Sequence, residues 1–206
     1  MLCEACTGIA ASVAIAIIGK KTRIIASCYL GWGAGPKEIY GCACYIQMQM
    51  TPTPSPEQTL TSLGYQLPPA PAPGGNYVSA KRVGSVVYLS GVVSTGANGI
   101  ITGTAGLDRS IEDGYAAARA CALTQLAVFK RELGSLNQVA EVLTVNGYVN
   151  AADGFSGSPE VINGASDLLV EVFGDAGRHV RAAVGLNALP RNALVEIQMT
   201  VRVKES

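Results

Sequence analysis

Between Arg178 and Val203 the chain reads R-H-V-R-A-A-V-G-L-N-A-L-P-R-N-A-L-V-E-I-Q-M-T-V-R-V, two β-strands hinged on Leu189-Pro190. Arg181 stands in the first strand and Glu196 in the second, both among apolar residues. A charge in such surroundings costs heavily unless it meets a partner or a ligand. The two residues are therefore the candidates for chemistry, and two readings stay open. They form a structural ion pair across neighbouring strands, as is common in sheets, or they face a ligand. Other reactive types offer less. Cys3-x-x-Cys6 and Cys42-x-Cys44 are the material of a zinc site, but the second spacing is one residue too tight and no histidine is near. His179 is the only histidine, so it makes no metal site, and no triad pattern marks it. Its expected place is the start of the first strand. Cys121, among alanines, reads as a buried inert thiol.

The elements that must position these residues follow from periodicity. In 193–203, Leu194, Glu196, Gln198 and Thr200 share one face, and Val195, Ile197, Met199 and Val201 the other. A strand region spans Asn76 to Ser94, interrupted at Ser90-Gly91, where glycine implies a bulge or a close approach of backbone or ligand. Asn98-Gly99 turns the chain into a short strand, Ile100 to Thr102. Residues 111–133 make the best helix, with Ser110 as cap, Asp113 at its negative end and Gly134 as stop. Val139 to Val149 is the next strand, and Ala151–Gly157 a loop. A second helix opens on Ser158 as cap with Pro159 behind it and ends at Gly174. Hairpin-like strands 180–187 and 193–203 close the domain. The order β-β-α-β-α-β-β with a mixed sheet predicts an α+β sandwich, one sheet face covered by the two helices. The other face carries too many apolar residues for water, which predicts an oligomer.

The first 73 residues read differently. Residues 1–50 form an N-terminal extension outside the fold, with Met48 or Met50 as the expected true start. The uncharged run 5–19 is shorter than the ~20 residues of a spanning helix. Lys20, Lys21 and Arg23 follow that run instead of preceding it, unlike a secretory signal. The expectation is a cytoplasmic protein with no membrane partner. Residues 51–73 are a proline-rich connector holding one short helix from Ser55, its cap, to Leu63, stopped by Gly64. Residues 74–206 are the domain. Fifteen basic residues balance fifteen acidic ones, and no basic patch with interleaved aromatics is present, which argues against a nucleic-acid partner.

Four strings, G-G-N-Y-V-S-A (74–80), V-Y-L-S-G (87–91), V-I-N-G-A-S-D-L-L-V-E-V-F-G (161–174) and R-A-A-V-G-L-N-A-L-P-R-N-A-L-V-E-I (181–197), resemble the RidA family, also called YjgF-type or endoribonuclease L-PSP proteins. The resemblance covers about Gly64 to Val203 and points to a divergent branch. It implies a chorismate-mutase-like α+β domain, a homotrimer with sites in the clefts between subunits, and no metal or organic cofactor. The implied activity is hydrolysis of 2-imino or enamine acids such as 2-aminoacrylate to 2-oxo acids and ammonia. By position, Arg181 matches the carboxylate-binding arginine and Glu196 the acidic residue near the attacking water. Tyr77, Ser90 and Asn163 match pocket-lining positions. A cysteine frequent two residues after the arginine is Ala183 here.

Such chemistry needs a grip on the carboxylate, which a planar guanidinium supplies through two parallel hydrogen bonds. It also needs a placed water and a proton for departing ammonia, which Glu196 supplies if partial burial moves its pKa toward working pH. The alternatives are a non-catalytic trimer that binds a small carboxylate and, less in keeping with the charge balance, an endoribonuclease.

Overall fold

The computed structural model describes residues 54–205 and, in backbone alone, two earlier strands. The chain divides into two compact units, Met1–Pro54 and Ser55–Ser206. In the first, β1 (Arg23–Cys28) pairs antiparallel with β2 (Cys44–Gln49), strands that sequence patterning does not anticipate. Cys3, Cys6, Cys42 and the apolar run 5–19 lie outside the described residues. Among the described residues no helix is long and apolar enough to cross a membrane.

The second unit opens with α1 (Pro56–Ser62), closed at its start by a reciprocal cap between Ser55 and Gln58 and followed by Gly64 at φ +78°. The proline-bearing segment leads to the hairpin β3 (Ala80–Val83) and β4 (Val86–Leu89). Then come β5 (Val92–Val93) and the small hairpin β6 (Thr95–Gly96) and β7 (Gly99–Ile100). The strand expected over Ile100–Thr102 thus ends at Ile100, and Thr102 makes only an isolated bridge to Ala193. The long helix α2 (Ile111–Leu133) has the expected bounds. Its Asp113 does more than supply negative charge. Its carboxylate accepts from Ser110 N at 3.1 Å while Ser110 Oγ accepts from Asp113 N at 3.1 Å. After β8 (Val139–Asn150), α3 (Ser158–Phe173) starts at the residue expected to be its cap, one position earlier than the sequence predicts. Gly157 is the N-cap, and Ser158 is a buried first-turn residue without a capping bond. β9 (Val180–Leu186) and β10 (Val195–Val203) complete the chain.

The sheet order is β3-β4-β10-β8-β9, with β5 also on β10. This corrects the hairpin expected at the C-terminus: β9 and β10 are not neighbours. The β8–α3–β9 segment is a parallel crossover, whereas β10 returns antiparallel between β4 and β8. The short link at Leu189-Pro190 therefore spans the width of β8 rather than making a tight turn.

β4 and β5 are one interrupted strand along β10. Tyr88 pairs with Thr200 and Val92 with Ile197, so Leu89, Ser90 and Gly91 face only Gln198 and Met199. That extra residue is a bulge at Ser90-Gly91. Helices α2 and α3 cover one face of the sheet. Val195, Ile197, Met199, Val201 and Val203 of β10 are buried on that side with Val142, Val145 and Val149 of β8. Each such side chain contributes on the order of 2 kcal/mol. The helices approach closely because Gly164 leaves room: a Cβ there would overlap the Tyr115 carbonyl. On the opposite face Tyr88 (52%), Val180 (69%) and Val184 (43%) are exposed; of the strands 83–93 and 193–203 expected to supply such surface, β10 supplies none, its apolar residues all being buried under the helices.

Candidate functional site

Glu196 comes out on the open face because its neighbours Val195 and Ile197 are claimed by the core. It pairs across the sheet with Tyr148 of β8 and Val93 of β5. Its carboxylate lies against the bulge: a Cβ built on Gly91 would overlap Glu196 Oε1. The close approach inferred for this glycine is therefore made by the chain's own glutamate. Among the described residues no cation pairs with the carboxylate. Burial alone pushes its pKa above the ordinary value of 4.5.

A cavity of about 350 Å³ opens beside it, lined by Tyr77, Ser90, Gly91, Thr95, Arg191 and Glu196 among others. A second cleft of about 410 Å³ adjoins the other side of Glu196, toward Tyr148, Leu189 and Gln198. Tyr77 Oη accepts from Gly74 N at 3.0 Å, which leaves its phenolic proton for a ligand. Ser90 is the reverse. Its hydroxyl donates to the Val78 carbonyl at 2.7 Å, so toward the cavity it offers only lone pairs.

The bulge is held from beneath by Gln125, a completely buried amide on α2. Its Nε2 donates to the Ser90 carbonyl at 2.9 Å and to the Ile197 carbonyl at 2.6 Å. It thus ties the Ser90-Gly91 backbone to the strand that carries Glu196. Sequence patterning passes over this residue, although a lone amide inside A-L-T-Q-L-A-V-F is a readable anomaly. It also passes over Arg191, which lines the cavity with a left-handed backbone, φ 58°, beside Asn192 at φ 56°. Asn192 is locked there: its Oδ1 accepts from the buried Asn150 Nδ2 at 3.1 Å.

Arg181 belongs to a different place. It lies on the edge strand β9 in register with Val145, which is in register with Met199. Both partners are buried on the helix-covered face, so Arg181 is on that face as well. Its guanidinium meets α3, where Nη1 donates to Asn163 Oδ1 at 2.8 Å and to Ser166 Oγ at 3.1 Å. Both Nη1 hydrogens are used, while Nε–H and Nη2 make no hydrogen bond among the described residues.

The five candidates therefore fall into two groups: Tyr77, Ser90 and Glu196 around the bulge, and Arg181 with Asn163 at the β9–α3 edge. The reading of Arg181 and Glu196 as an ion pair across neighbouring strands is incorrect. β8 separates their strands and they occupy opposite faces. Arg181 is also exposed rather than enclosed by apolar residues. Cys121 is fully buried, with its thiol pKa pushed up by burial.

Two helices on one face of a mixed, mostly antiparallel sheet, with a bulge beside a central-strand glutamate, define the YjgF/chorismate-mutase-like α+β fold. Residues 57–202 match the family model described as YjgF/chorismate_mutase-like, a description that also names endoribonuclease. The chain is 41% identical over 146 residues to Protein TCP17 of Trypanosoma cruzi, covering 70% of this chain and 91% of that protein. A crystal structure of a protein of unknown function from Agrobacterium tumefaciens is 39% identical, with TM-score 0.66 over 72% of this chain and 91% of that one. A structure from Shewanella oneidensis, described in endoribonuclease terms, is 32% identical, with TM-score 0.70 over 72% and 99% of the two chains. The protein belongs to the YjgF/RidA-like family.

Proposed function

We propose that the protein is a cofactor-free hydrolase of 2-imino and enamine acids, working as a homotrimer whose site is completed between two copies. The observation that carries this reading is the division of the candidate residues. One face holds a carboxylate that pairs with no cation among the described residues, beside a cavity. The other edge holds a guanidinium whose Nε and Nη2 are unspent. A single copy cannot bring the two to one small molecule. Two copies can, where the open face of one packs against the β9–α3 edge of the next in a head-to-tail contact that closes a ring.

In this arrangement Arg181 of one copy takes the substrate carboxylate through two parallel hydrogen bonds. Glu196 of the other accepts a proton from a water as its oxygen adds to the carbon of the protonated imine, which gives the neutral carbinolamine. Glu196 then delivers that proton to the nitrogen, and as the C–N bond breaks and ammonia leaves, it takes the carbinolamine hydroxyl proton and passes it to the departing ammonia, leaving the 2-oxo acid. An enamine substrate enters after protonation at its terminal carbon. The Tyr77 hydroxyl donates and Ser90 Oγ accepts at the cavity wall. The raised pKa of Glu196 favours this shuttle, since a carboxyl nearer to working pH both takes and gives a proton readily.

A binding-only protein would use Arg181 without needing Glu196, and an endoribonuclease would need a basic track that the balanced charge does not supply. The test is ammonia release from enzymatically generated 2-aminoacrylate. Acceleration that is lost in Arg181→Ala and in Glu196→Gln is expected. Release no faster than in buffer overturns the reading in favour of binding alone.

A further inference from the structure

Arg181 is tethered by more than Asn163. His179 lies two residues before it, at the start of β9, with Nδ1 2.7 Å from the Gly177 carbonyl. A carbonyl only accepts, so Nδ1 carries the proton and Nε2 presents a lone pair. That nitrogen is 3.0 Å from Ser166 Oγ. The Ser166 hydroxyl hydrogen therefore points to His179, and its oxygen lone pairs are left for Arg181 Nη1 at 3.1 Å. Burial pushes the His179 pKa below its ordinary value against the raising effect of the Gly177 carbonyl, and the charge of Arg181 adds to the fall, in line with the neutral ring that this direction of bonding requires. Asn163 Oδ1 takes the second Nη1 hydrogen at 2.8 Å. The chain of bonds runs from backbone through His179 and Ser166 to one nitrogen of the guanidinium and fixes its rotation.

We propose that His179 and Ser166 are positioning residues that preset Arg181, so that its Nε–Nη2 edge is presented to the carboxylate of a 2-oxo or 2-imino acid. This rests on the carboxylate-binding reading of Arg181 above. An untethered arginine side chain must give up its rotamer freedom on binding. One already held through Nη1 does not, and its two-pronged edge meets the carboxylate side-on. Neither residue touches the ligand. Their effect falls on affinity and leaves the proton transfers at Glu196 unchanged.

The probe is 2-oxobutanoate, a stable 2-oxo acid, titrated by ligand-observed NMR against the full chain. Ser166→Ala and His179→Leu should each weaken binding about tenfold, the worth of one hydrogen bond to a charged group. Ser166→Thr and His179→Gln, which keep a hydroxyl and an acceptor in place, should bind as the unsubstituted protein does. In ammonia release at saturating substrate, the weakened variants should show a raised KM with kcat retained. Alanine is a better helix former than serine, so a loss in Ser166→Ala does not come from unfolding α3. If Arg181→Ala abolishes binding while Ser166→Ala and His179→Leu bind normally, the positioning role is overturned and the carboxylate site stands. If Arg181→Ala binds like the unsubstituted protein, or that protein binds no 2-oxobutanoate, the carboxylate reading itself fails and takes this inference with it.

Discussion

Arg181 and Glu196 stand on opposite faces of one sheet, with the whole of β8 between their strands. At a strand spacing of about 4.8 Å this separates them by roughly 10 Å of sheet width as well as by its thickness. Neither charge answers the other. Glu196 is left with a carboxyl whose pKa is raised by burial, and Arg181 with one nitrogen bound to α3 and the rest of its donors unspent.

The contact between Gly91 and Glu196 makes the first prediction. Gly91→Ala places a methyl group where Glu196 Oε1 now lies, so the carboxylate must move or the bulge must shift. The expected cost is about 1–3 kcal/mol of stability, with loss of ammonia release. Glu196→Ala in the same chain removes the overlap and should recover the stability but not the activity. Denaturant unfolding of the single and double variants measures this. Equal destabilisation with and without Glu196 would place the strain elsewhere.

The carboxyl of Glu196 also predicts a pH dependence. Its folded pKa is above 4.5 because of burial, so between the ordinary value and the raised one the native state binds more protons than the unfolded chain. Stability should therefore fall as pH rises through that window and be unaffected by this group below it. Glu196→Gln should flatten the fall. Urea unfolding across the window gives the slope, and an unchanged slope in Glu196→Gln would exclude this carboxyl as its source.

Gln125 carries a third prediction. Gln125→Leu keeps the volume but leaves the Ser90 and Ile197 carbonyls without their donor. The expected loss is about 2 kcal/mol, and the cavity beside the bulge should lose its geometry. Activity should drop more than Arg181-dependent binding of a 2-oxo acid. Retention of full activity would show that the bulge is held by its strand pairing alone.

Much of this was legible in the residues. Helix α2 declares itself through Ser110, Asp113 and Gly134, and the alternation around Glu196 assigns the faces of β10 correctly, because local spacing decides both. Ser90-Gly91 is a recognisable interruption, but the sequence does not say that the approaching group is a side chain from a strand a hundred residues later. The failure at β9 and β10 has the same physical origin. Two strands joined by a short link read as a hairpin, whereas the parallel crossover through α3 sets β9 beyond β8 and leaves β10 the place beside β4. Ser158 reads as a cap because serine before proline usually is one, yet the core claims its side chain and Gly157 takes the position. The hydrogen-bond chain from His179 through Ser166 to Arg181 needs coordinates, since helix and strand must first be packed for those atoms to meet.

Whether each site is completed by two copies is tested by subunit mixing. Arg181→Ala and Glu196→Gln proteins are each expected to be inactive in ammonia release. Unfolded together in equal amounts and refolded, they form mixed assemblies in which an intact Arg181 on one copy meets an intact Glu196 on the next. Random mixing in a closed ring makes about a quarter of such sites complete, so activity should return to about that fraction of the unsubstituted protein. Mixed assemblies that form, as shown by native mass spectrometry, and yet release ammonia no faster than either variant alone would show that no site is shared between copies.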